Sequence, residues 1–141
     1  MLVLVFTKPT TYTLTNAPNA ASSNRLKAVE MIKVDIKPLS VNEAWKGRRM
    51  KSVKYMAFRK RVLYTLKPIK LPAGPYRLEL TYGFSSRGAD IDNPTKMVID
   101  ILSEKYGFND NEIYELFIKK QIVKKEQEYF EFSITTLNQQ P

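Results

Sequence analysis

An α+β fold is what the sequence predicts: a single domain in which two helices pack on a mixed β-sheet, in the order β-α-β-α-β-β. Three observations carry it. Tyr76 to Phe84 alternates without a break, with Tyr76, Leu78, Leu80, Tyr82 and Phe84 on one side and Arg77, Glu79, Thr81 and Gly83 on the other, the signature of a strand. Segments before and after it carry helical spacing or helical punctuation, and two further apolar runs close the chain. The 141 residues suit one domain with a substantial core, and 43% apolar with 11% aromatic residues is a globular composition.

Residues 1–30 show no sustained period and are rich in Thr, Asn, Ala and Ser, so a loose N-terminal extension is expected there, with the organised domain over 31–137. Met31 is thus an alternative native start. The opening "MLVLVF" lacks a basic leader, so no export signal is expected. No run approaches the roughly 20 apolar residues of a membrane span, and the expected location is the cytoplasm, with no membrane partner.

The domain opens with Ile32, Val34 and Ile36 alternating with Lys33, Asp35 and Lys37, as in a half-buried strand. After a loop containing "NEAWKGRRMK", Ser52 caps a helix running to Leu66, whose apolar face is Tyr55, Phe58, Val62, Leu63 and Leu66. Pro68, Pro72 and Pro75 stop it. Beyond the Tyr76–Phe84 strand, Asn93 caps a second helix with Pro94 at its first position, where the missing N–H costs nothing. That helix ends near Tyr106, and Gly107 suits the left-handed terminal residue. Strands at Ile113–Val123 and Glu128–Thr135, joined by the polar "KKEQE", read as a closing antiparallel hairpin.

The chain has neither cysteine nor histidine. Disulfides, thiolate nucleophiles, Ser-His-Asp chemistry and nearly every zinc arrangement are therefore excluded, which leaves carboxylates, lysines, hydroxyls and hard metals with oxygen ligands. The net charge is +9, and from Lys46 to Lys70 ten basic residues occur with no acid. A field so concentrated favours polyanions, nucleic acid first and an anionic membrane surface second. Lys46, Arg48, Arg49, Lys51 and Lys54 are the leading phosphate contacts, followed by Arg59 and Lys60. Trp45 is either a stacking platform for an opened base or a packing anchor.

The stretch "RGADIDNPTKMVIDIL" concentrates the chemistry. In an extended segment Asp90 and Asp92 project to the same side, where they suit Mg²⁺ or Mn²⁺; the alternative is that they serve the positive end of the following helix. Lys96, in the first turn of that helix, is placed to hold a phosphate or stabilise a leaving oxygen, or else pairs with Asp100 four residues on. Asp110, in "GFNDNEI", is a third ligand or a turn former. An EF-hand-like Ca²⁺ loop is a poor third reading, since Pro94 falls at its fifth position and Thr95 where its glycine belongs.

The segment "RGADIDNPTKMVIDILSEKYGFNDNEI" resembles the signature of the RusA-type Holliday junction resolvases: Asp-x-Asp-Asn, a lysine four residues after the second acid, a helix, then a glycine and an acidic loop entering a strand. The upstream "PLSVNEAWKGRR" is similar to the family's N-terminal segment and basic loop, and the similarity spans residues 31–135. The resemblance implies a homodimer that binds four-way DNA junctions and makes paired phosphodiester cuts with Mg²⁺, for which Mn²⁺ substitutes, in DNA recombination and repair without a nucleotide cofactor. By position, Asp90, Asp92 and Asp110 match the metal-binding catalytic acids, and Lys96 the lysine beside them. Two departures stand out: Asn109 where many members carry an acid, and Pro94 in place of a helix residue. Read alone, the residues leave open a non-catalytic basic DNA-binding module and a Mg²⁺ nuclease acting on another structured DNA.

Overall fold

The computed structural model describes residues 31–47 and 50–137. The expected extension over residues 1–30 lies outside them. Strand β1 (Ile32–Val34) leads to a one-turn helix α1 (Val41–Ala44), a two-stranded ribbon β2 (Trp45–Lys46) and β3 (Met50–Lys51), and helix α2 (Val53–Thr65). Then follow β4 (Tyr76–Phe84), α3 (Thr95–Tyr106), a 3₁₀ turn (Asp110–Glu112), β5 (Ile113–Ile122) and β6 (Tyr129–Thr136). This is the expected α+β class with a four-stranded mixed sheet. The short helix and ribbon are additions inside what reads from sequence as a loop.

The alternation of β4 becomes one row of the core. Leu78, Leu80 and Tyr82 pair across the sheet with Ile134, Phe132 and Phe130 of β6 on one side, and Leu78 and Leu80 with Leu116 and Ile118 of β5 on the other. All are buried, and onto them pack Phe58, Val62 and Leu66 of α2 and Val98, Ile101 and Leu102 of α3. Burying such side chains stabilises by about 1.5–3 kcal/mol each relative to exposure, so this face holds the fold together. Ser52 caps α2 as expected, its Oγ accepting from Tyr55 N–H at 3.1 Å, and Gly107 closes α3 at φ 72°.

Two expectations need correction. The last two strands do not form a hairpin: the sheet order is β1-β6-β4-β5, so β4 lies between them, parallel to β5 and antiparallel to β6. A parallel pair needs a long crossover, which α3 supplies between β4 and β5. The "KKEQE" connection then spans two strand spacings, roughly 10 Å, rather than one. The second correction is at the start of α3, whose cap position falls on Pro94 with no side-chain cap bond; Asn93 points its amide elsewhere.

Candidate functional site

The two aspartates lie between β4 and α3, at the carboxyl end of a parallel strand pair, where open sheets commonly bind ligands. Their segment is folded into successive turns: Asn93 N–H donates to Asp90 O at 3.4 Å and Thr95 N–H to Asp92 O at 3.0 Å. It is therefore not extended, and the argument that both carboxylates must project to one side does not hold.

Three anchors fix this acid turn. From the core, the hydroxyl of fully buried Tyr82 donates to Thr95 Oγ1 at 3.1 Å, and Thr95 Oγ1 in turn reaches Ile91 O at 3.5 Å. Burial pushes the Tyr82 phenol well above its usual range, so it stays a donor at any physiological pH. From β5, Lys120 Nζ donates to Arg87 O at 2.8 Å and Ala89 O at 2.5 Å. From the α1 side, Asn93 Nδ2 donates to Ser40 Oγ at 3.0 Å while its Oδ1 accepts from Val41 N–H at 3.3 Å. Asn93 thus ties the turn to the segment that leads into the basic ribbon.

Lys96 and Asp110, fourteen positions apart, meet. Lys96 Nζ lies 2.8 Å from Asp110 Oδ2 and 2.8 Å from Asp100 Oδ1, so the local pairing and the long-range one both form. These acceptors, Asp100 foremost, raise the Lys96 pKa, and the Lys96 ammonium lowers that of the Asp110 carboxyl. Asp110 is presented by the 3₁₀ turn, which a capping box holds: Asn109 Oδ1 accepts from Asn111 N–H at 3.2 Å and Glu112 accepts from Asn109 N–H at 2.8 Å. Asn109 therefore has a structural job at the position where an acid was expected.

Asp90 and Asp92 are exposed, and neither side chain makes a hydrogen bond or ion pair among the described residues. Asp90 lines an open cleft of about 350 Å³ together with Lys37, Ser40, Glu43, Asn93 and Glu128; Asp92 lies outside its lining. As donors, Asp90, Asp92 and Asp110 fit a hard cation, being exposed carboxylates only. Among the described residues no three acids are grouped to hold an ion, and Lys96 already engages Asp110. A cation at Asp110 has to share or displace that contact.

The basic set divides. Lys46 and Lys51 sit on the ribbon, where Gly47 turns at φ 75°, and Lys51 Nζ stands 4.3 Å from the Tyr55 ring centre. Arg48 and Arg49 lie outside the described residues. Lys54 bonds Glu43 at 3.1 Å, which lowers the Glu43 pKa, and Lys60 is exposed. Arg59 pairs with Glu104 through two hydrogen bonds that join α2 to α3, so its charge is partly neutralised. Trp45 is 45% exposed on the ribbon, open to stacking. Ala44, Tyr55 and Met97 bury together, which seats the ribbon's base against the first turn of α3 and brings the basic segment to the acid turn.

No family model matches the chain, and no curated protein matches it. Among the described residues no helix is long and apolar enough to cross a membrane. Lys120, Tyr82 and Thr95, which position the acid turn, escaped the sequence reading. Tyr82 registers there only as a strand residue and Thr95 only as a poor fit to a Ca²⁺ loop, and the contact from Lys120 spans 31 positions.

Proposed function

We propose that this chain is a Mg²⁺-dependent structure-specific endodeoxyribonuclease of the RusA type, which binds four-way DNA junctions as a dimer and resolves them by paired phosphodiester cleavage. The observation that supports this most is the meeting of Asp110 with Lys96, which stands in the first turn of the helix that follows the Asp90–Asp92 turn. The lysine and the third acid of the motif, separated in sequence by a helix, are thus in contact, and the base of the basic ribbon packs against Met97 of the same helix turn as the lysine.

In this reading Asp90, Asp92 and Asp110 hold the ion, whose contribution when bound is Lewis-acid polarisation of the scissile phosphate and of a water molecule. Lys96, 66% exposed, offers its ammonium to the developing negative charge at phosphorus. Asp100 and Asp110 keep that ammonium protonated and aimed. Lys46, Arg48, Arg49, Lys51 and Lys54 hold the backbone, each neutralised phosphate adding about 0.9 to the salt slope on duplex arms. Symmetric cuts on two strands call for two sites related by a two-fold axis, hence the dimer.

The test is strand cleavage of a synthetic four-way junction in Mg²⁺ beside its matched linear duplexes, for wild type and Asp92→Asn. Paired nicks in the junction alone, lost in Asp92→Asn while binding persists, are expected. Equal cleavage of the linear duplexes shifts the reading to a nuclease of broader substrate. Binding without cleavage by folded wild type in Mg²⁺ or Mn²⁺ reduces it to a binding module.

A further inference from the structure

The segment that leads into the basic ribbon lines one side of the Asp90 cleft; the other side adjoins a second set of cations. The cleft has two walls, one running from Lys37 to Glu43 towards the ribbon, the other formed by Ser85, Ser86 and Asp90 with Glu128 of the β5–β6 connection. Behind this second wall the chain brings together two segments that are distant in sequence. Val123 N–H donates to Phe84 O at 2.8 Å, and Ser85 Oγ donates to Glu128 at 2.7 Å, so the β5–β6 turn lies against the residues that leave β4. That turn is closed by Gln127 N–H donating to Lys124 O at 3.0 Å. Lys124 and Lys125 are exposed on it, and Arg87 is exposed on the neighbouring loop.

None of these three side chains makes an ion pair or hydrogen bond among the described residues. Lys120, by contrast, spends its ammonium on the carbonyls of Arg87 and Ala89. Arg87 lies between Ser86 and Gly88, which line the cleft, and Lys124 and Lys125 lie on the turn that contributes Glu128 to it, so three exposed cations without a protein partner among the described residues flank this rim alongside Glu126 and Glu128. We infer that Arg87, Lys124 and Lys125 form a second phosphate grip, which holds the nucleic-acid backbone on the side of Asp90 opposite the ribbon. The strand then runs across the cleft, held at both rims, with the acid turn beneath the phosphate between them. This inference rests on the nucleic-acid reading above. It adds that the substrate extends on both sides of the acids, and it assigns contacts well away from the Lys46–Lys70 run.

The experiment is a fluorescence anisotropy titration of a labelled four-way junction, without divalent ions, across a series of NaCl concentrations. It compares wild type, Lys124→Ala/Lys125→Ala, and Lys46→Ala/Lys51→Ala. The turn substitutions are at exposed positions, and circular dichroism checks that each variant is folded. The turn variant is expected to lower the slope of log K against log[salt] by about 1.8, two contacts at about 0.9 each. Adding Arg87→Ala lowers it further. A slope equal to that of wild type in the turn variant, while the ribbon variant loses slope, overturns this inference and leaves the nucleic-acid reading standing. No salt-dependent binding by wild type overturns both.

Discussion

Replacing Tyr82 by Phe removes a single oxygen from the core and tests whether the acid turn is held from below. Tyr82 and Thr95 are both fully buried, and their 3.1 Å hydrogen bond joins the sheet to the first residue of α3. The ring itself keeps its place in Tyr82→Phe, including its stack on Phe84 at 5.6 Å, so no cavity of consequence opens. What is lost is the bond, a net 0.5–1.5 kcal/mol by the usual order of magnitude, plus part of the cost of leaving the Thr95 acceptor unpaired away from water. The expected destabilisation is about 1–2 kcal/mol in urea unfolding followed by circular dichroism. Thr95→Val removes the partner with little change in shape, and the double variant closes a cycle. A coupling of about 1 kcal/mol is expected, because each single change already breaks the shared bond. Additivity within roughly 0.3–0.5 kcal/mol would refute the reasoning, since it is what uncoupled sites show.

Other expectations follow from the same geometry. Gly83→Ala places a Cβ 2.3 Å from Tyr129 Cε1, and the ring is also tied by its hydroxyl to Gln121 at 2.6 Å, so the substitution should lower stability by about 1–3 kcal/mol in urea melts and be tolerated in a Tyr129→Ala background. Lys96→Met should reduce junction cleavage by roughly 10²–10³-fold while changing junction affinity only a few-fold, as measured by single-turnover kinetics beside a binding titration. The Lys96–Asp110 pair also sets a pH dependence. Asp110 has a lowered folded pKa, so its contribution is present above its ordinary value of 3.8 and lost as pH falls through the folded value. Lys96 has a raised pKa, so its contribution is present below its ordinary value of 10.5 and lost as pH rises through the folded value. The stability difference between wild type and Asp110→Asn, measured by urea unfolding, should therefore be level between those limits and shrink below about pH 3.8.

Much of this protein was written locally. The period-two run of β4 named its length, because alternation is a property of the strand alone; that Thr81 and Gly83 on its second face are buried as well came only from the packing. The cap of α2 at Ser52 and its stop before Pro68 were legible for the same reason, as was the glycine that ends α3. The residue types at Asp90, Asp92, Lys96 and Asp110, together with the absence of cysteine and histidine, by themselves restrict the chemistry.

The tertiary structure decided the rest. A strand pattern says which face is buried and nothing about which strand lies beside it, so only the packed sheet revealed that β4 separates β5 from β6. The spacing of Asp90 and Asp92 fixes a shared direction only in extended backbone, and the turns closed by Asn93 and Thr95 removed that premise. The contact of Lys96 with Asp110 and the hold of Lys120 on the loop before Asp90 depend on the crossover through α3, which brings the ends of β4 and β5 into register. Side chains carry their chemistry in the sequence; the partners they meet are set by how the chain returns.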